Sequence, residues 1–174
     1  HPLELDDEDL NYIRSFQLVH TSCNSHFDSQ LAKVKAAEVP ISYDFSGRWK
    51  QESYMDSILP FVDYGFISCA DAAEDESREL CKRMVEKGCR LSIATRGKKG
   101  SIVYDGIRFY HHMQEPVDAV DTLGAGDSFA AAFLLSMLDT QNIETAMAAG
   151  AGFAAKTCMV NGAFGYGIPF EDSK

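Results

Sequence analysis

Two glycines and an alanine run directly into a carboxylate at Gly124-Ala125-Gly126-Asp127, and this is the segment of the chain best suited to chemistry. Small residues let the backbone turn sharply into a helix, so unpaired N–H groups around Gly124, Ala125, Gly126 and Asp127 point at one spot. The positive end of the helix dipole makes that spot favourable for an anion. Asp127 sets a carboxylate beside it, where a general base must sit if an incoming hydroxyl attacks a bound phosphoryl group. Taken alone, Gly-x-Gly is a weak signal, and an aspartate that opens a helix is often only an N-cap. Two common nucleotide motifs do not fit. Phe129 occupies the place of the third glycine of a dinucleotide fingerprint, and Gly97-Lys98-Lys99 ends in lysine where a Walker motif needs Ser or Thr.

The elements that must position this segment follow from the pattern of apolar residues. Short apolar runs at 15–20, 39–45 and 63–69 read as buried strands that end in polar or small residues, and 90–95 reads as the next strand. Helical spacing falls between them at 27–37, 49–59 and 74–87, the last closed by Gly88. This alternation predicts a mostly parallel sheet covered by helices. Ser101–Tyr104 and Arg108–His112 form a hairpin around Asp105-Gly106, and helices are expected at 127–138 and 143–160 before a glycine-rich coil at 162–169. In open α/β sheets ligands sit outside the carboxyl ends of the strands, so the residues just past each strand are the ones to read.

Composition narrows the function classes. The chain has 174 residues, 45% of them hydrophobic, with 16 Lys and Arg against 26 Asp and Glu for a net charge of −10. That balance disfavours phosphate backbones and anionic lipid surfaces, so neither nucleic acid nor membrane is the expected partner. There is no stretch of about 20 apolar residues and no signal-peptide pattern at the start, which leads to a cytoplasmic expectation. The five cysteines are widely spaced without a Cys-x-x-Cys pair and read as reduced, mostly buried thiols. His20-x-x-Cys23-x-x-His26 has a metal-like spacing but no evident fourth ligand, so its polar groups are expected to face a cleft or solvent. His111-His112 at a strand end reads as structural or exposed.

Asp121-Thr122-Leu123-Gly124-Ala125-Gly126-Asp127-Ser128-Phe129 resembles the signature Asp-Thr-x-Gly-Ala-Gly-Asp-x-Phe of the ribokinase-like (PfkB) carbohydrate kinases. The resemblance implies a three-layer α/β ribokinase-like fold with a mostly parallel central sheet flanked by helices. It implies that Asp127 is the catalytic base, that Gly124, Ala125 and Gly126 form the anion hole, and that Asp121 and Thr122 lie at a monovalent-cation (K⁺) site. Asp44-Phe45-Ser46-Gly47-Arg48 is similar to the family's Asp-x-Asn-x-Arg, with Ser46 in place of Asn, and places Asp44 and Arg48 on the ATP side. Thr95-Arg96-Gly97-Lys98-Lys99-Gly100 resembles its Thr-x-Gly-x-x-Gly nucleotide loop, which implicates Thr95, Gly97 and Gly100. Asp71-Ala72-Ala73-Glu74 stands where the family carries Asn-x-x-Glu, so Glu74 is the candidate for Mg²⁺ and phosphates, weighed against an acidic helix start. The Ala- and Gly-rich run 148–155, with Gly152, suits either close helix packing or a flat adenine slot.

The acidic opening, Tyr43–Trp49, and Gly150–Thr157 followed by Gly162-Ala163-Phe164 look like the fructoselysine 6-kinase (fructosamine kinase) branch. The family's early Gly-Gly substrate motif and lid hairpin have no counterpart here. The resemblance therefore covers the carboxyl-terminal, nucleotide-binding and catalytic-base portion of one kinase domain, 1–174, and this portion alone is expected to be inactive. The implied reaction is ATP-dependent phosphorylation of a sugar or sugar-amine hydroxyl. The alternatives are a nucleotide-binding module without catalysis and a kinase for another hexose, a nucleoside or a pyridoxal-type alcohol. A sheet cut at one side exposes an apolar edge, so a homo-oligomer or association through that edge is expected, and a monodisperse 19.2 kDa monomer contradicts it.

Overall fold

The computed structural model describes residues 3–163, and the chain divides into two compact units, one ending at His111 and the other beginning at His112. The first unit is built on a six-stranded sheet in the order β1 (Val19–Ser22), β2 (Ile41–Asp44), β3 (Tyr64–Ser68), β4 (Leu91–Thr95), β5 (Ser101–Tyr104) and β6 (Phe109–His112). β1 through β4 pair in parallel, and β5 turns back antiparallel to β4. The sequence expectation of a mostly parallel α/β sheet is met. Ile41, Ser42 and Tyr43 of β2 and Ser92, Ile93 and Ala94 of β4 are wholly buried, which is why these strands read as continuous runs rather than alternating ones.

The helices of this unit are α1 (Asp7–Ile13), α2 (Leu31–Ala36), α3 (Glu52–Ile58) and α4 (Glu74–Glu86). α4 packs on β4 and β5, and α2 on β2. α1 has no counterpart in the sequence reading. Its signal is a reciprocal cap: the Asp6 carboxylate accepts the Glu8 and Asp9 N–H groups, both at 2.9 Å, while the Asp9 carboxylate accepts the Asp6 N–H at 3.1 Å. The helix expected over 49–59 breaks into a 3₁₀ turn at Arg48–Lys50, α3, and a second 3₁₀ turn at Leu59–Phe61. Gln51 leaves helical dihedrals at φ −97°, ψ 79°, and Pro60 supplies no N–H to the final turn. The strand expected at 15–20 pairs only from Val19 onward.

The second unit contains α5 (Ala125–Thr140) and α6 (Ile143–Cys158), packed against each other. Phe129, Ala130, Phe133, Ala146, Met147 and Ala151 are buried, and Phe133 is fully enclosed, a burial that contributes about 1.5–3 kcal/mol. Gly150 permits the close approach, because a Cβ there lies 3.0 Å from both the Phe129 ring and its carbonyl oxygen. The glycine-rich coil expected at 162–169 falls mostly outside the described residues.

All five cysteines are free thiols, four of them buried. Burial pushes Cys69 and Cys89 up to about 12 and Cys81 up to about 11, so these groups stay protonated and unreactive. No helix among the described residues is long and apolar enough to cross a membrane.

Candidate functional site

Because β1 to β4 run parallel, Ser22, Asp44, Ser68 and Thr95 end on the same side of the sheet, and the loops that follow them hold the candidate residues of the first unit. Asp44 closes β2, and its Oδ1 accepts the Ser46 N–H at 2.7 Å. Ser46 takes φ +51°, and its carbonyl accepts the Ser68 N–H at 2.8 Å, tying the loop to the end of β3. Arg48 follows, exposed, with its guanidinium 5.8 Å from the Tyr54 ring centroid. Behind it, Asp28 accepts the hydroxyls of Tyr43 at 2.5 Å and Tyr54 at 2.9 Å, and the two hydroxyls are 2.6 Å apart. Burial and then the Asp28 contact drive the Tyr43 hydroxyl far upward, so it stays a neutral donor. Sequence reasoning missed this network, since Asp28 and Tyr54 lie on separate elements and no local spacing links them.

The candidate nucleotide loop is a compact turn after β4. The Arg96 N–H bonds the Gly100 carbonyl at 2.8 Å, the Lys99 N–H the Arg96 carbonyl at 3.1 Å, and the Gly100 N–H the Gly97 carbonyl at 3.0 Å. Gly97 and Gly100 sit at φ +56° and +85°. The Thr95 hydroxyl donates to the Ile67 carbonyl at 3.4 Å, and the Lys99 ammonium to the Ala70 carbonyl at 2.9 Å. Glu74, first residue of α4, is not a free carboxylate. Its Oε2 is 3.2 Å from Arg96 Nη1, and its Oε1 is 3.4 Å from Arg78 Nε and 3.9 Å from His111 Nδ1. Desolvation works against the charge, but the Arg96 and Arg78 hydrogen bonds outweigh it and hold the carboxyl below its usual value.

In the second unit, Gly124 is the N-cap of α5 at φ +75°, ψ 1°. A side chain is excluded there twice over: the dihedral is left-handed, and a Cβ lies 2.7 Å from Ala163 Cβ. This cap starts the helix two residues before the expected 127, so Asp127 stands in its first turn rather than at its opening. The Ala125 N–H reaches the Thr122 carbonyl at 3.2 Å and the Ser128 N–H the Gly124 carbonyl at 2.9 Å. The N–H groups of Gly126 and Asp127 have no intrahelical acceptor. Gly126 and the Asp127 side chain are exposed. The Asp121 carboxylate fastens the approach, with Oδ1 accepting the Leu123 N–H and Oδ2 the Gly162 N–H, both at 3.0 Å. Those backbone hydrogen bonds lower its pKa. Thr122 is exposed, as is Gly152, where a Cβ meets nothing within 4 Å.

The remaining sequence candidates have simpler roles. Cys23 Sγ donates to the Phe45 carbonyl at 3.4 Å, and His20 Nδ1 lies 3.0 Å from the Ser42 hydroxyl, so each side chain of the His-x-x-Cys-x-x-His run that could turn inward is bonded elsewhere. His111 is 2.8 Å from Arg78 Nη2, a contact that the sequence did not signal. Among the described residues no three His, Cys, Asp or Glu side chains form a group suited to a metal ion.

Comparison with known proteins shows what the chain is similar to. Fructosamine kinase FrlD of Bacillus subtilis (strain 168) is 40% identical over 169 residues, covering 97% of this chain and 59% of its own length. Fructoselysine 6-kinase of Shigella flexneri is 35% identical over 161 residues, covering 92% of this chain and 60% of its own. The chain thus spans about three fifths of the length of these curated relatives. The solved structure of Arabidopsis thaliana ribokinase complexed with ribose and ATP superposes with a TM-score of 0.77 at 22% identity, over 91% of this chain and 55% of that one, which makes the fold ribokinase-like. The family model for pfkB family carbohydrate kinases matches residues 3–166, and the chain belongs to that family.

Proposed function

We propose that this chain is the nucleotide-side and catalytic-base portion of an ATP-dependent sugar kinase whose acceptor is a fructosamine, with fructoselysine phosphorylated at its 6-hydroxyl as the best single candidate. The observation that carries the reading is the start of α5: a left-handed Gly124 cap, two N–H groups without intrahelical acceptors, and an exposed Asp127 in the same turn. The fructosamine and fructoselysine kinases at 40% and 35% identity support the choice of acceptor.

In this reading Asp127 takes the proton of the acceptor hydroxyl as its oxygen attacks the γ-phosphorus of ATP, and the bond to the ADP oxygen breaks. The Gly126 and Asp127 N–H groups and the dipole of α5 stabilise charge on the transferring group. Thr95, Gly97, Gly100, Asp44 and Arg48 belong to the nucleotide side of the first unit, and Gly152 to an adenine slot. Mg²⁺ lowers repulsion between phosphates when bound, and K⁺ is the ion expected near Asp121 and Thr122. Among the described residues the side chains offer neither ion a cage, because the Glu74 oxygens face arginines and the Asp121 oxygens accept backbone N–H groups. Both units are read as parts of one kinase domain, with a homo-oligomer or association through an exposed edge of the sheet, whose end strands are β1 and β6.

The test is phosphoryl transfer from ATP to a panel of fructoselysine, fructose, ribose and a nucleoside by the intact protein and its Asp127→Asn variant. The expected outcome is turnover highest with fructoselysine and reduced about 10²- to 10⁴-fold in the variant, with ATP affinity nearly unchanged. Equal turnover by the variant removes the base assignment, and a preference for another acceptor removes the fructosamine assignment.

A further inference from the structure

Arg96 lies inside the turn that joins β4 to β5, yet only 7% of it is exposed. Its Nε has no hydrogen-bond partner among the described residues, and its one ion pair there is the 3.2 Å contact from Nη1 to Glu74 Oε2. A buried guanidinium is costly unless a carboxylate compensates it. Glu74 is itself held from the other side. Arg78 reaches Oε1 with its Nε and stacks its guanidinium 4.8 Å from the Phe109 centroid. Its Nη2 is 2.8 Å from His111 Nε2. Arginine can only donate, so that nitrogen accepts and the ring proton sits on Nδ1, which is 3.9 Å from Glu74 Oε1. Two guanidiniums and an N–H therefore face one half-exposed carboxylate. Such surroundings repel a divalent cation.

We infer that Glu74 is the counter-ion that allows Arg96 to be buried, and so a positioning residue for the loop Thr95–Gly100, with Arg78 and His111 holding its second oxygen, rather than a holder of Mg²⁺. Arg96 bonds through its own backbone to Gly100 and Lys99, so displacing its side chain disturbs both ends of the turn. The inference rests on the reading of this turn as the nucleotide loop.

Two readouts on the same chain separate the roles: thermal melting without nucleotide, and calorimetric titration of ATP with and without Mg²⁺. Glu74→Ala is expected to lower the melting temperature by about 5 °C or more, since it strands a buried charge. It also weakens ATP and Mg–ATP by the same factor, about tenfold or more, so the ratio of the two affinities stays that of the parent chain. Glu74→Gln, which keeps an acceptor for Arg96, shows a smaller loss of the same kind. The decisive variant is Glu74→Ala combined with Arg96→Met. Removing the stranded charge restores most of the melting temperature and of the affinity, which a lost metal ligand does not allow. A double variant that melts no higher than Glu74→Ala alone overturns the inference. So does a Glu74 variant that weakens only Mg–ATP, and so does a parent chain that binds neither form of the nucleotide. Loss of turnover in Asp127→Asn is read independently of all three.

Discussion

In the unit that ends at His111, Glu74 and Arg48 are placed by side chains: Glu74 is gripped by Arg96 and Arg78, and the loop bearing Arg48 backs onto the Asp28–Tyr43–Tyr54 hydrogen bonds. In the unit that begins at His112 they are placed by the backbone. Gly124 takes φ +75°, Gly150 lets α6 reach Phe129, and Asp121 is held by the N–H groups of Leu123 and Gly162. The difference teaches where each unit is vulnerable. Side-chain placement answers to charge and salt, whereas backbone placement answers to volume and dihedral.

The largest effect expected from this comparison is at Gly124. Gly124→Val asks a β-branched residue to adopt a left-handed dihedral and puts its Cβ 2.7 Å from that of Ala163, at a cost of about 2–4 kcal/mol. Denaturant unfolding of the variant checks this. A loss under 1 kcal/mol shows that the cap relaxes easily and that backbone placement is soft.

Acid unfolding at low and high salt sharpens the contrast. Asp56 is lowered by Lys87 and Arg83, and Glu74 by Arg96 and Arg78 against its desolvation, while Asp121 is lowered by backbone N–H groups. For each of these carboxyls the folded pKa lies below the unfolded one. The stability they contribute is therefore complete above the ordinary carboxyl value of about 4 and is lost as the pH falls through the depressed folded value. Salt screens the ion pairs of Asp56 and Glu74 but not the hydrogen bonds of Asp121. High salt is expected to shrink the acid-dependent part that Glu74→Gln removes and to leave intact the part that Asp121→Asn removes. Equal salt sensitivity of the two parts breaks the comparison.

The smallest effect is expected at Ser46. The position takes φ +51°, which asparagine tolerates better than serine, so Ser46→Asn is expected to stabilise by about 0.5 kcal/mol. A melting curve unchanged or lowered in that variant shows that the N–H contacts of the loop, rather than its dihedral, set the local stability.

Much of this molecule was legible in its residues. The buried strands announced themselves as short apolar runs, because a parallel sheet covered on both faces needs no polar alternation. The turn from Gly124 to Asp127 could be recognised from residue types alone, since only small residues permit that entry into a helix. Helix limits were less legible: Gln51 and Pro60 divide a run of helical spacing, and α1 depends on a carboxylate pair, Asp6 and Asp9, that looks like mere surface charge.

What the sequence by itself determined, then, is the order of the strands and of the helices after α1, together with the chemistry of the α5 entry, all of which depend on near neighbours in the chain. What only the tertiary structure decided is the company each charged group keeps. Glu74 and Arg96 are 22 positions apart and Arg78 and His111 are 33 apart, so no local pattern foretells their pairing. The same carboxylate that reads in the chain as a candidate for a metal is, in the folded protein, the partner of a buried guanidinium, because burial makes an unpaired charge too costly to leave alone.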